Sequence, residues 1–182
     1  MLGSDNIPTW VLKDFAGHLA NPVCSIFNTS VREGHLPTIW KSVTTRPIPK
    51  VSPPKAIETD LWPISLTCIL GKELDTHVVG WLWDIVRPLM DPYQFGAIAK
   101  CSTVHALIEM LHDWYSQTDV SKERKYIHAV LVDYSKAFDR INPVILMEKL
   151  KRLGIPSFLL SWIHDFLSER SQRVKVGDSV SD

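Results

Sequence analysis

A short apolar run, Ile127-His128-Ala129-Val130-Leu131-Val132, ends in the carboxylate of Asp133 and is followed by Tyr134-Ser135-Lys136-Ala137-Phe138-Asp139. A carboxylate at the C-terminal end of a buried strand, followed by a tight turn, is a recurrent way of holding Mg²⁺. The strand fixes the hard oxygen ligand and the next backbone groups face the substrate. Nucleotide phosphatases, receiver domains and polymerases share this arrangement, and an Asp that merely caps the following turn accounts for the same local pattern. Other reactive constellations are weaker. Cys101, His105 and His112 lie roughly along one helical face, but three ligands without a fourth make a poor zinc set. No Gly-x-Ser-x-Gly elbow or Gly-x-x-x-x-Gly-Lys loop supports a serine hydrolase or a nucleoside triphosphatase.

Several elements must position Asp133. The pattern predicts a helix over residues 10–19, a second one capped by Asn21-Pro22 and closed by Gly34, and helical spacing over 69–90 with Gly71 and Gly80 as weak points. Ser102 caps a helix whose Val104, Leu107, Ile108, Leu111 and Tyr115 follow helical spacing. Residues 127–133 read as a buried strand. Asn142-Pro143 begins a helix that Gly154 ends, and another follows Pro156 with Phe158, Leu159, Trp162, Ile163 and Phe166 on one face. Residues 43–50 are β-branched but carry Pro47 and Pro49, which predicts an edge strand. Residues 51–60, with Pro53-Pro54, read as a loop, and residues 173–178 as a strand entering a turn.

Composition bounds the class. The chain has 182 residues, 45% hydrophobic and 22% charged, which excludes a disordered tail or a coiled coil and predicts a packed core. The longest apolar runs fall far short of the ~20 residues that span a bilayer, and no secretory signal opens the sequence. An intracellular site is the expectation. Cys24, Cys68 and Cys101 form no Cys-x-x-Cys pair and read as buried thiols, and the seven Trp read mostly as core. The zero net charge is unevenly spread: six basic and five acidic groups over residues 1–60, three and seven over 61–120, and eleven and eight over 121–182.

The wider sequence resembles the reverse transcriptases of non-LTR (LINE-type) retrotransposons over nearly its whole length, in the family's motif order. Leu36-Pro37-Thr38-Ile39-Trp40-Lys41 with Arg46-Pro47-Ile48-Pro49-Lys50 is similar to the start of the family's fingers. Asp60-Leu61-Trp62-Pro63-Ile64-Ser65-Leu66 resembles its Tyr-Arg-Pro-Ile-Ser-Leu segment, and Gln94-Phe95-Gly96 with Ser102-Thr103 and Ala106-Leu107 its next block. Val132 through Ile141 resembles the first catalytic palm motif, and Leu150 to Gly154 with Phe166 to Val174 resembles the stretch leading towards the second.

The resemblance implies an α+β fold, helix-rich with a small antiparallel sheet: a helical N-terminal extension over 1–42, fingers over 43–126 and a partial palm over 127–182. It implies deoxynucleotidyl transfer to a primer 3′ end by two Mg²⁺ ions, with an RNA template, a DNA primer and deoxynucleoside triphosphates as partners. Carried over residue by residue, Asp133 and the Tyr134 carbonyl would be metal ligands, and the Lys136 and Ala137 backbone would contact the nucleotide. Phe138 would exclude a 2′-hydroxyl, with ordinary core packing as the alternative reading. Lys50 would reach the triphosphate, against the reading of a solvated lysine. Gln94, Phe95 and Gly96 would lie near the template, against the reading of an ordinary turn.

Two departures alter the expectation. Trp62 stands where the family usually has Arg, and no Asp-Asp pair occurs in the sequence, which stops at Asp182 before the Tyr/Phe-x-Asp-Asp motif. The 182 residues are therefore expected not to polymerise by themselves. A non-catalytic nucleic-acid-binding module derived from a retrotransposon, and a Mg²⁺-dependent phosphohydrolase using Asp133 at the end of a parallel strand, are the competing readings.

Overall fold

The computed structural model describes residues 5, 7–119 and 126–181, apart from the side chain of Glu58. Two helices open it, α1 (Thr9–Asp14) and α2 (Ala16–Glu33), but the break falls at Phe15 and not at Asn21-Pro22, because Pro22 lies inside α2. A proline there forfeits one intrahelical bond, which an exposed turn tolerates because water can take the carbonyl left free. Gly34 ends α2 in the left-handed conformation, as its position predicts. A short 3₁₀ turn, Thr38–Lys41, leads into β1 (Ser42–Pro49). Then come the four-residue helix α3 (Ile57–Asp60), β2 (Leu61–Leu66) and α4 (Ile69–Val86). After α5 (Thr103–Asp119), the chain forms α6 (Pro143–Arg152), α7 (Ser157–Leu167), β3 (Ser171–Val176) and β4 (Ser179–Val180).

The sheet is mixed, in the order β2-β1-β3-β4, which corrects the expected antiparallel sheet: β1 pairs antiparallel with β2 but parallel with β3. β1 is also not an edge strand. The prolines still explain its arrangement, since β3 pairs only with residues 42–45 and leaves the proline-bearing half with one neighbour. The Lys50 N–H donates to the Asp60 carbonyl at 2.7 Å, continuing the β1–β2 register. This makes the even-numbered positions of β1 the hydrogen-bonded ones. Pro47, its partner Pro63 and Pro49 therefore turn their nitrogens away from the pairing and forfeit no bond across it.

Two compact units emerge, residues up to 85 together with 142 onward, and residues 86–141. The first holds the core: Leu36, Leu74, Val78, Cys68 and Leu159 are essentially inaccessible, with Trp40, Trp162 and Ile163 also buried. Gly71 fits against Trp40 and Cys68, where an added Cβ would meet the Cys68 sulfur at 2.8 Å. Phe27 meets Trp40 edge-on with centroids 5.9 Å apart, and Trp162 stacks on Phe166 at 5.3 Å. The core is narrower than the sequence suggests. Trp10, Trp62, Trp81 and Phe158 are exposed, and of the cysteines only Cys68 is buried. In the second unit, Ser102 starts α5 as expected, its N–H donating to His105 Nδ1 at 3.1 Å. The apolar face of α5, from Val104 to Tyr115, is exposed.

Gly34 joins α2 to α7. Its φ is +65°, and an added Cβ would lie 2.8 Å from the Ser161 Cβ. Gly34→Ala combines strain with a clash that only a shift of α7 relieves, and is expected to lower stability by more than about 1 kcal/mol in urea denaturation.

Candidate active site

Residues 127–133 form no strand, which corrects the expected buried strand: Val130 and Leu131 are 86% and 95% exposed. A fully apolar run becomes a central strand only when neighbours cover both of its edges and both of its faces. Among the described residues no strand pairs with it, since β3 bonds to β1 and to β4. The phosphohydrolase reading needs a parallel strand ending in Asp133, and that strand is not formed.

The turn after Asp133 is defined. Lys136 has φ +54°, Ala137 follows with φ −53° and ψ −46°, and Phe138–Arg140 make a 3₁₀ turn. A left-handed residue followed by a right-handed one gathers successive backbone N–H groups on one concave side, a nest suited to anionic oxygens. Asp133 is exposed and forms no hydrogen bond or ion pair with another described residue, and Phe138 is 88% exposed.

Lys50 belongs to the other unit, at the end of β1. Its ammonium donates to the Thr59 carbonyl at 3.1 Å. Asp60 organises the loop that follows: Oδ2 accepts from the N–H groups of Lys55 at 2.9 Å and Ala56 at 3.1 Å, and Oδ1 from the Thr59 hydroxyl at 2.8 Å. These bonds, led by that from Lys55, with the nearby Lys50 charge, hold the carboxyl below its ordinary value.

Gln94, Phe95 and Gly96 sit together in an exposed turn of the second unit, where the Gln94 amide donates to the Gly96 carbonyl at 2.9 Å. Phe95 lines an open cleft of roughly 460 Å³ with Tyr93, Met110 and Trp114.

The most constrained polar cluster has no counterpart among the residues singled out by sequence. Asp165 on α7 accepts from Lys41 Nζ at 2.9 Å, His35 Nδ1 at 2.9 Å and the Leu36 N–H at 2.7 Å. Beside it the Trp162 indole N–H donates to Ser30 Oγ at 3.0 Å, and that hydroxyl donates to the His35 carbonyl at 2.6 Å. The one signal for it in the sequence is a carboxylate inside the apolar stretch of α7, between Ile163 and Phe166. The cluster is a tie between segments far apart in sequence, not a reactive centre. A second carboxyl, Asp75, is pushed up by burial against the attraction of Arg170, and its Oδ1 has no hydrogen-bond partner.

Among the described residues no three His, Cys, Asp or Glu side chains gather as a metal site requires. Asp133 and the Tyr134 carbonyl make two oxygens where Mg²⁺ takes six ligands, so these residues do not by themselves fit the ion. The family model for Reverse transcriptase (RNA-dependent DNA polymerase) matches residues 48–181, which takes in both Lys50 and the Asp133 turn. The chain belongs to the reverse transcriptase family. Its similarity to curated proteins runs to mobile elements of Drosophila melanogaster. The chain is 28% identical over 181 residues to the probable RNA-directed DNA polymerase from transposon BS, covering 98% of the chain and 20% of that protein. It is 29% identical over 154 residues to the RNA-directed DNA polymerase from mobile element jockey, covering 83% and 16%. To the probable RNA-directed DNA polymerase from transposon X-element it is 25% identical over 182 residues, covering 98% and 20%. The chain thus spans at most a fifth of these relatives' length. No helix among the described residues is long and apolar enough to cross a membrane.

Proposed function

We propose that this chain is the fingers and the beginning of the palm of an RNA-directed DNA polymerase of a non-LTR retrotransposon. In this reading residues 1–42 are a helical lead, 43–126 the fingers and 127–182 the start of the palm. The family match through the Asp133 turn carries it. Asp133 and the Tyr134 carbonyl supply two oxygens towards Mg²⁺, the remaining ligands lying outside these residues. The Lys136 and Ala137 N–H groups and the Lys50 ammonium receive the triphosphate of the incoming deoxynucleotide, a role suited to a backbone nest and to a point charge. Gln94, Phe95 and Gly96 flank the RNA template, and the DNA primer supplies the attacking 3′ hydroxyl.

The test is primer extension on an RNA template by the polypeptide as expressed from its own gene. Templated DNA synthesis supports the reading, and its absence in a folded preparation that still binds primer and template leaves a binding module instead. Phe138 gives a residue-level check. If its ring excludes a 2′-hydroxyl, Phe138→Val raises the relative kcat/KM for ribonucleotides by at least about tenfold while use of deoxynucleotides changes little. An unchanged ratio assigns the ring to packing.

A further inference from the structure

The sheet carries an exposed tryptophan among cations, and register fixes which side chains share its face. In the β1–β2 pair, Arg46 opposes Ile64 and Ile48 opposes Trp62. In the parallel β1–β3 pair, Thr44 is in register with Arg173, which places Arg173 and, two residues on, Lys175 on this same face. The Ser42 and Ser171 hydroxyls, in register one row earlier, meet at 2.7 Å and support the shared side. One face therefore presents Trp62, Ile48 and Ile64, respectively 65%, 45% and 40% exposed, beside Arg46, Arg173 and Lys175. Lys50 continues the row at the end of β1.

None of these cations forms an ion pair with a described carboxylate; the ion pairs present involve other residues. The Arg46 Nε is buried and has no hydrogen-bond partner. Asp60, opposite Lys50, turns both carboxylate oxygens into its own loop. An excess of unpaired positive charge around an exposed indole suits a polyanion whose repeating unit carries a planar aromatic ring. Bases stack on the indole, phosphates meet the cations, and neither contact reads sequence.

We infer that this face is a stacking platform for the unpaired RNA template strand, with Trp62 under a base and Arg46, Arg173 and Lys175 along the backbone. The inference rests on the reverse transcriptase reading. It makes the Trp at position 62 a gain of base stacking, where Arg would pair with a phosphate.

The experiment is fluorescence anisotropy of the full 182-residue chain with a short fluorescein-labelled single-stranded RNA of mixed sequence, over a range of salt. Wild type is expected to bind with salt-dependent affinity. Trp62→Ala weakens it by about tenfold or more with an unchanged salt slope, while Trp62→Phe keeps most of the affinity. Arg173→Gln with Lys175→Gln lowers the slope of log affinity against log salt by about 0.7 for each phosphate that is no longer neutralised. Heparin, a polyanion without bases, separates stacking from charge: Trp62→Ala leaves its binding unchanged. Trp62 is exposed, so thermal melts of the variants should match wild type and exclude misfolding. Equal RNA affinity of Trp62→Ala and wild type, or an equal loss towards heparin, overturns the platform while leaving the polymerase reading intact. Failure of wild type to bind RNA at low salt overturns the platform and counts against that reading as well.

Discussion

Asp165→Ala is expected to remove about 3–5 kcal/mol of stability at neutral pH, the usual loss when one partner of a buried ion pair is deleted. Lys41 is the reason. Its side chain is only 5% exposed and its ammonium meets Asp165 Oδ1 at 2.9 Å, so truncating Asp165 leaves a buried cation without a counter-charge. The same change strands the Leu36 N–H, which donates to Oδ2. Against a typical total of about 5–15 kcal/mol this is a large share, and urea denaturation should show a lower midpoint. Substituting Lys41→Met in the Asp165→Ala background removes the orphaned charge and should recover part of the loss; no recovery would place the cost in Leu36 and His35 instead.

The pair also has a pH signature. Burial pushes the Asp165 carboxyl up, but the Leu36 N–H, the Lys41 ammonium and His35 together hold it below its ordinary value of 3.8. A depressed folded-state value means that the contribution is complete above the unfolded value and is lost as pH falls below about 4 through the folded one. Asp75, raised by burial, acts in the opposite sense: its ionised form is disfavoured by the fold, and acidification relieves it. The two are separated by comparing wild type with Asp165→Ala, since both carry Asp75. The stability difference between them should shrink as pH drops below about 4, and a constant difference would exclude ionisation of Asp165 as its source.

How legible the sequence is depends on the range over which each element is decided. The start of α6 at Asn142-Pro143 is readable because the cap is local: the Asn142 side chain accepts from the Val144 and Ile145 N–H groups. So is the end of α2 at Gly34. The tie from Asp165 to Lys41 is not, because it joins residues 124 positions apart and nothing local marks it. Residues 127–133 mislead for a related reason. An apolar run states a capacity to be buried, but neighbouring strands decide whether burial occurs. The partners of β1 are likewise beyond local pattern, although its prolines correctly anticipate a half with a single neighbour. At the candidate site the motif order points to Asp133, Lys50 and Phe138 from residue types alone. The left-handed Lys136 before Ala137 is hidden, since a Lys has no compositional tendency towards positive φ.

Asp133→Asn is expected to reduce primer extension by about 10³-fold in the polypeptide expressed from its gene. Placing a carboxylate so that divalent charge stabilises the reacting phosphate oxygens is worth several kcal/mol, and each tenfold in rate is about 1.4 kcal/mol. The substitution is unusually clean. Asp133 is exposed and bonds to no other described residue, so an isosteric amide removes charge without disturbing packing or leaving a partner stranded. Surface changes of that kind move stability within about 0.5 kcal/mol, so the melting temperature should hold. Template binding should hold too, because the cations of the sheet face belong to other residues. A fall in kcat with affinity and melting unchanged assigns Asp133 to the chemical step. If extension stays within about tenfold of wild type, Asp133 is not a metal-holding carboxylate, and the family's first palm motif has lost its function in this chain even though its sequence survives.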